Sequence, residues 1–437
     1  MKRLLFSLLL TCLVSMVFAQ DLKTAKSYLD KKQLDKAKTE IDAFLAKSPS
    51  DPEGNYMKAK IYQQISDSAA FKSLVTGDAR QEAFEAFKKA MADTGNAKMT
   101  LMALKDQYQP IFSLYTGSYE AGAAAFNAAA PAGDKAGFAT AMELFIKADN
   151  VGQYIASRGW SRIPVVDTTL VLNIGKAALN AGKNDTARIY FQKLADAGIS
   201  GTKDGGAGNS TFALPYQWLT LNYKQAKDEA NMMKYANLGK KLFPNEDYFD
   251  LVLLDHYRDK KDNTALFAKY NELVTARPDS LLYHFNYAND IFAYLYNGDA
   301  GVVVKDKEAL SKTLGEQLEK AHAIDSSNVV TNWLYSQYYY NKGIDIRDSA
   351  LKIKGPKPDD VKRKADLTAE SKVNFNKAIP YGSKALGTLE AGYKKSDKSR
   401  YKTIVDLMQK IYQSLNQNDK VKLYQDKYDA ADAKFVN

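Results

Sequence analysis

The sequence predicts an all-α protein, a right-handed superhelical solenoid of stacked helical hairpins, and three observations carry that prediction. Apolar residues recur at helical spacing, as in Ala37, Ile41 and Phe44, which follow i, i+4, i+7. Small and aromatic residues recur at a fixed chain interval, since Ala25 with Tyr28 and Ala59 with Tyr62 are 34 residues apart. Polar turns and prolines punctuate the pattern every one or two helices.

The chain opens with Lys2 and Arg3, an apolar run from Leu4 to Phe18, and small Ala19 before Gln20. This arrangement predicts a secretory leader over 1–19, cut after Ala19, because its apolar core is shorter than the ~20 residues a membrane helix needs. An uncleaved anchor is the alternative. No comparable apolar run follows, so the mature chain is expected to carry no transmembrane anchor and to be exported, periplasmic or secreted, with peripheral association to the envelope open to it. The sole cysteine, Cys12, lies inside the leader, which leaves no thiol for a disulfide or metal site. Acylation of Cys12 as a lipoprotein would suit neither Thr11 before it nor the apolar residues after it.

The formal charge of +10 falls to +8 once Lys2 and Arg3 leave with the leader. Basic and acidic side chains alternate along the helix faces, so this excess reads as solvated surface, and nucleic acid is not expected as a partner.

The first mature segment forms two helices, Leu22 to Lys31 and Leu34 to Lys47, with one apolar seam. Ala83, Phe87 and Ala90 continue the next unit after an insertion. The register is clearest in the middle of the chain, where Tyr223 and Tyr257, and likewise Pro244 and Pro278, are 34 apart. Gly175, Gly182, Ala187, Phe191 and Leu194 form another unit. Ala288 with Ile291 and Ser336 with Tyr339 mark further first helices, and Leu318 with Ala321 and Ala378 with Ala385 mark second helices. About eight or nine units result.

A period of 34 with these small and aromatic positions resembles the tetratricopeptide repeat family, in a degenerate form similar to exported proteins of Bacteroidota. The resemblance spans nearly all of the mature chain. It implies that one hairpin cannot bury its own face, so that stacked hairpins present a concave surface of first helices. The domain organisation expected is leader 1–19, repeats over 20–148, an irregular connector over 149–167 where Gly152, Gly159 and Pro164 interrupt the helix pattern, and repeats with insertions over 168–437. Ser66 to Gln81, Tyr294 to Ser311 and Gly343 to Lys372 depart from the period inside single units. The last holds Lys352, Lys354, Lys357, Lys362, Arg363 and Lys364, read as a solvated loop or as a contact for an acidic partner or lipid headgroups. Gly198, Gly201, Gly205, Gly206 and Gly208 read as a flexible connector, because no Gly-Lys-Ser/Thr ending makes them a phosphate loop.

Nothing in the sequence assembles a catalytic site. His256, His284 and His322 sit in separate repeats, no Gly-x-Ser-x-Gly elbow occurs, and the acidic pairs Glu246–Asp247 and Asp359–Asp360 suit helix starts. No enzyme, no metal and no cofactor are expected. The first-helix positions facing away from the packing seam give a candidate partner groove: Tyr248, Leu251, Asp255 and Arg258; then Leu282, Phe285, Asn289 and Phe292; then Val330, Trp333, Gln337 and Tyr340. Aromatic and arginine side chains concentrate binding energy, which suits a protein or peptide partner. The same aromatics read equally as core. The lysine, asparagine and arginine trio of the family's peptide clamp is absent from these positions. Carbohydrate binding by stacked aromatics is the alternative function. Asp67-Ser68-Ala69, Asp167-Thr168-Thr169, Asp185-Thr186-Ala187, Asp279-Ser280-Leu281 and Asp348-Ser349-Ala350 resemble a bacterial O-glycosylation acceptor and also suit helix caps.

Overall fold

A computed structural model describes residues 22–160, 167–202, 207–297, 304 and 306–435. The leader therefore lies outside the described residues, as do Pro164, Gly205, Gly206 and most of the 298–305 segment. The described residues are helical with no strand. The fold is all-α, built of helices that pack on their chain neighbours as hairpins.

The helices are α1 (22–30), α2 (Leu34–Lys47), α3 (Pro52–Asp67), α4 (Ala79–Ala90), α5 (Ala97–Lys105), α6 (Gln109–Ala129), α7 (Lys135–Ser157), α8 (Thr168–Asn180), α9 (Asn184–Asp196), α10 (Ala213–Gln225), α11 (Glu229–Leu242) and α12 (Asp247–Asp259). They continue with α13 (Asn263–Ala276), α14 (Leu281–Tyr296), α15 (Lys307–Ile324), α16 (Val329–Lys352), α17 (Pro358–Glu390), α18 (Lys398–Ser414) and α19 (Asn418–Lys434). Two compact units divide the chain, Met1–Leu253 and Leu254–Asn437. In the first, α2, α3 and α4 pack in sequence, as do α6 through α11. In the second, each helix from α13 to α19 packs on the next.

Several helix starts are fixed by side-chain caps. Asp51 accepts from Gly54 N at 2.7 Å, Asp167 from Leu170 N at 2.9 Å and Asp262 from Ala265 N at 3.0 Å, each satisfying a donor the first turn leaves open. Capping thus accounts for Asp167 and, through its hydroxyl, for Ser280, which accepts from Tyr283 N. It does not account for Asp67 or Asp348, which lie near helix C-termini.

Hairpin turns share one closure. At α1/α2, α8/α9, α10/α11, α12/α13 and α18/α19 one residue is left-handed: Lys32, Gly182, Lys227, Lys261 and Asn416, with φ of 55°, 74°, 58°, 54° and 60°. The next amide then donates back to a carbonyl five residues earlier, as Gln33 N to Tyr28 O at 2.9 Å, Asp228 N to Tyr223 O at 3.0 Å and Asp262 N to Tyr257 O at 3.0 Å. The 34-residue spacing of Tyr223 and Tyr257 is the spacing of this joint. After Tyr62 the helix runs on to Asp67 instead, so the first insertion extends α3 and adds the loop before α4.

Alanines at the crossings are fully buried, including Ala25, Ala37, Ala59, Ala83, Ala187, Ala378 and Ala385. Their small side chains let helices approach, and large rings fill the grooves beside them. Gly175 on α8 faces Phe191 of α9, and Gly343 on α16 faces Phe375 of α17.

Two expectations require correction. The connector does not begin at 149, because α7 continues through Ser157 and Gly152 lies inside it, its Cα packed under the ring of Tyr115. Glycine served close packing there, not chain reversal. The glycine-rich stretch is also held at its described ends, with Gly208 N donating to Leu242 O and Asn209 N to Ser200 O, both at 2.8 Å.

Candidate functional site

The aromatic row proposed from register is only partly available to a ligand. Tyr248 and Leu251 belong to the first unit and are half-buried; the Tyr248 hydroxyl donates to Gln217 O at 3.1 Å and its ring packs edge-on against Phe249. In the second unit Arg258 is occupied. Its Nε donates to Asp290 at 2.8 Å, its Nη1 to Asp255 at 2.5 Å and its Nη2 to the Tyr270 hydroxyl at 2.6 Å. Tyr270 in turn donates to Asp290 at 2.6 Å. Asp255 and Arg258 therefore stabilise the packing of α12, α13 and α14.

Phe292 is a correction, because it is buried in the α14 seam and not turned to a groove. Trp333 and Tyr340 are half-buried against the core built around Phe375, Ile404 and Met408, with Tyr340 at 5.8 Å from the Phe375 ring. The Trp333 indole N–H is enclosed without a hydrogen-bond partner among the described residues. Phe285 and Gln337 are half-buried and Asn289 is exposed. The bulk of Val329 to Tyr340 widened the apolar stripe of α16 beyond the face a spacing rule assigns to core.

A different cleft, within the first unit, gathers side chains from three successive first helices. α1 contributes Lys23 and Lys26, α3 contributes Tyr56, Met57 and Lys60, and α5 contributes Lys98, Met102 and Lys105, around a cleft of 590 Å³. Leu22, Phe44, Met57 and Met102 give it an apolar lining. Asp51, Glu53 and Asp106 stand at its edge, so five ammonium groups face three carboxylates.

Two of the lysines are paired and three are not. Lys60 contacts Asp106 at 2.8 Å and Lys98 contacts Glu53, while Lys23, Lys26 and Lys105 have no ion-pair partner among the described residues. Asp106 also accepts from the Tyr56 hydroxyl at 3.1 Å. Burial, followed by the neighbouring Asp106 carboxylate, holds that hydroxyl protonated well above the usual tyrosine range. The Glu53 contact raises the Lys98 ammonium above its ordinary value, so it stays charged. Next to the cleft, α5 exposes Leu101 and Leu104. This arrangement offers fixed positive charge over an apolar lining.

The sequence contained a signal for this cleft. Lys26 and Lys60 are 34 apart and occupy the same place in consecutive first helices, but the search for aromatic positions passed over them.

No protein-family model matches the chain. No curated protein matches it. Solved structures with resembling helices include a monomeric IFIT1 mutant with m7Gppp-AAAA, at 14% identity over 86% of this chain and 69% of that one, TM-score 0.29. The human IFIT1 dimer with PPP-AAAA matches at 13% identity over 87% and 95%, TM-score 0.24. The APC/C hetero-tetramer Cut9-Hcn1 matches at 12% identity over 94% and 78%, TM-score 0.21. Superposition at these scores is too loose to transfer a site or a ligand.

Proposed function

We propose that this chain is an exported, non-catalytic tetratricopeptide-type scaffold that binds a partner protein through an acidic, partly apolar segment laid in the α1/α3/α5 cleft. The observation that carries the reading is the convergence of lysines from three first helices over Met57 and Met102. Acidic side chains of such a segment would meet Lys23, Lys26 and Lys105 without breaking an existing pair. Its apolar side chains would cover the methionines, whose flexible thioethers adapt to varied shapes. A basic cleft also raises the encounter rate with an acidic partner. The register-derived positions Phe285, Asn289 and Gln337 remain available as secondary contacts. Carbohydrate binding is less well supported, because Trp333 and Tyr340 lean on core and present no free pair of ring faces.

Fluorescence anisotropy with labelled acidic–apolar peptides and their charge-reversed counterparts tests the reading. Binding is expected for the acidic set alone, and Lys26→Glu with Lys105→Glu should weaken it by at least about tenfold, as two unfavourable charge contacts would. Both positions are exposed, so circular dichroism should be unchanged. Equal affinity for both peptide sets, or for wild type and variant, refutes it. Export is tested separately by N-terminal sequencing of protein from the envelope fraction, where a chain beginning at Gln20 is expected.

A further inference from the structure

The α16/α17 hairpin is unlike the others. Its helices have 24 and 33 residues, and α17 is the longest helix described. Packing against the second unit ends well before the hairpin does. Where Gly343 meets Phe375 the helices are in close contact, but beyond that crossing Ala350 is the only buried residue of α16, and nothing in α17 from Pro358 to Glu370 is buried. Thirteen helical residues span about 20 Å. The buried core of the hairpin therefore stops there, and the start of α15 flanks it farther out across an open cleft that Lys352, Leu367 and Glu370 line.

Its end combines two kinds of side chain. Leu351 and Val361 are 60% and 58% exposed. Around them stand Lys352, Lys354, Lys357, Lys362, Arg363 and Lys364, all exposed and none ion-paired among the described residues. Within 351–366 the acidic residues are Asp359, Asp360 and Asp366, leaving three positive charges in excess, and Lys352 also borders the cleft lined by Asp306, Glu308, Asp348 and Glu370. Asp359 and Asp360 lie in the first turn of α17, where the helix dipole favours them. A solvated loop needs the lysines but has no use for two exposed branched apolar side chains beside them.

We propose that this tip docks on an anionic lipid bilayer, with Leu351 and Val361 entering the headgroup boundary and the basic side chains meeting lipid phosphates. A narrow convex end cannot enclose a peptide, whereas it can dip into a planar, deformable layer. Lysine stems suit that boundary because they lie along apolar surface while their ammonium groups reach outward. No helix among the described residues is long and apolar enough to cross a membrane, and the tip itself would attach only peripherally. Each basic residue near such a surface strengthens partitioning roughly fivefold, and a few apolar side chains add a component that salt does not screen.

Co-sedimentation with vesicles tests the proposal, using phosphatidylglycerol–phosphatidylethanolamine vesicles against phosphatidylcholine vesicles. Wild type and variants carry the same N-terminus, so their difference reads the tip alone. Wild type should bind the anionic vesicles. Lys352→Gln, Lys354→Gln and Lys357→Gln together should weaken binding at least about tenfold, and Leu351→Ser with Val361→Ser should abolish the part that survives high salt. All five positions are exposed, and unchanged melting confirms that each variant is folded. Polyglutamate in place of vesicles separates lipid from an acidic protein. Tip-dependent binding to polyglutamate without vesicle binding overturns the proposal, as does vesicle binding that is indifferent to lipid charge or to the five substitutions.

Discussion

Alanine in place of Gly175 should destabilise the protein, against the ordinary preference of helices. In the interior of a solvent-exposed helix the change gains about 1 kcal/mol, since alanine restricts the unfolded chain and glycine does not. Gly175 lies in the middle of α8, and a Cβ there would stand 2.5 Å from Cδ1 of Phe191 and closer still to Cε1. Phe191 is wholly buried and wedged edge-on against Trp218 at 5.6 Å, so the ring has nowhere to swing. Overpacking of this kind costs about 1–3 kcal/mol, and more where a ring is trapped, so the net loss should be about 1–2 kcal/mol. Gly387 is the control. It too sits within a helix, α17, but a Cβ there meets nothing within 4 Å, and Gly387→Ala should gain up to about 1 kcal/mol. Denaturant unfolding followed by circular dichroism reads both signs. In the double variant Gly175→Ala/Phe191→Leu the loss should be less than the sum of the single losses, because the smaller side chain makes room. If Gly175→Ala stabilises as Gly387→Ala does, the account of close helix approach at the small positions is wrong.

Two further outcomes follow from buried charge. Asp290→Ala strands Arg258 and the Tyr270 hydroxyl and should cost about 2–3 kcal/mol, while Asp255→Ala, at a half-exposed carboxylate, should cost under about 1 kcal/mol; denaturant unfolding distinguishes them. Burial pushes the Asp149 carboxyl above its ordinary value of 3.8, outweighing the opposing pull of Lys193 and Gln153. The folded state then holds that proton more tightly than the unfolded chain does, so this group's contribution is most favourable below pH 3.8 and declines as pH rises through the folded value. Asp149→Asn should therefore flatten the fall in melting temperature above about pH 4 and cost nothing at pH 7; a clear loss at pH 7 would show that the Lys193 contact dominates instead.

The fold was legible because packing leaves a periodic trace. Ala25, Ala37, Ala59, Phe87 and Phe191 were read as seam residues from spacing alone, and all are buried. The groove was harder to read for a physical reason. A first helix of a repeat packs on two neighbours, so its apolar stripe is wide, and a ring such as Phe292 or Trp333 just outside the narrow seam still reaches core. Lysines recurring at the repeat interval are the clearer signal, because an ammonium group is costly to bury unpaired. Lys26 and Lys60 were the better guide to an exposed face, and their recurrence was there to be counted.

The polar ties between a helix and the turn before it were not legible. Asn55, His284 and Asn332 each donate to the carbonyl six residues earlier, Pro49, Pro278 and Ser326, at 3.0, 2.8 and 2.9 Å, fastening a first helix to the turn before it. Two residue types do one task there, which hides the repetition from any pattern of identities. His284 in particular reads as an isolated histidine until its place in the turn is seen.

The shared turn closure also bears on how such an array could be rebuilt. Its hydrogen bonds run between backbone groups, so the joint makes no demand on neighbouring side chains, and a hairpin could be removed or duplicated there without redesign of the turn. Three of these joints place lysine where glycine would be unstrained, at 32, 227 and 261. Each left-handed lysine carries about 1 kcal/mol of avoidable strain. Since the joints lie far apart in sequence and share no partners, relief at each should add to the others. The toughest version of this fold would thus be reached by altering its hinges and leaving its packed interior alone.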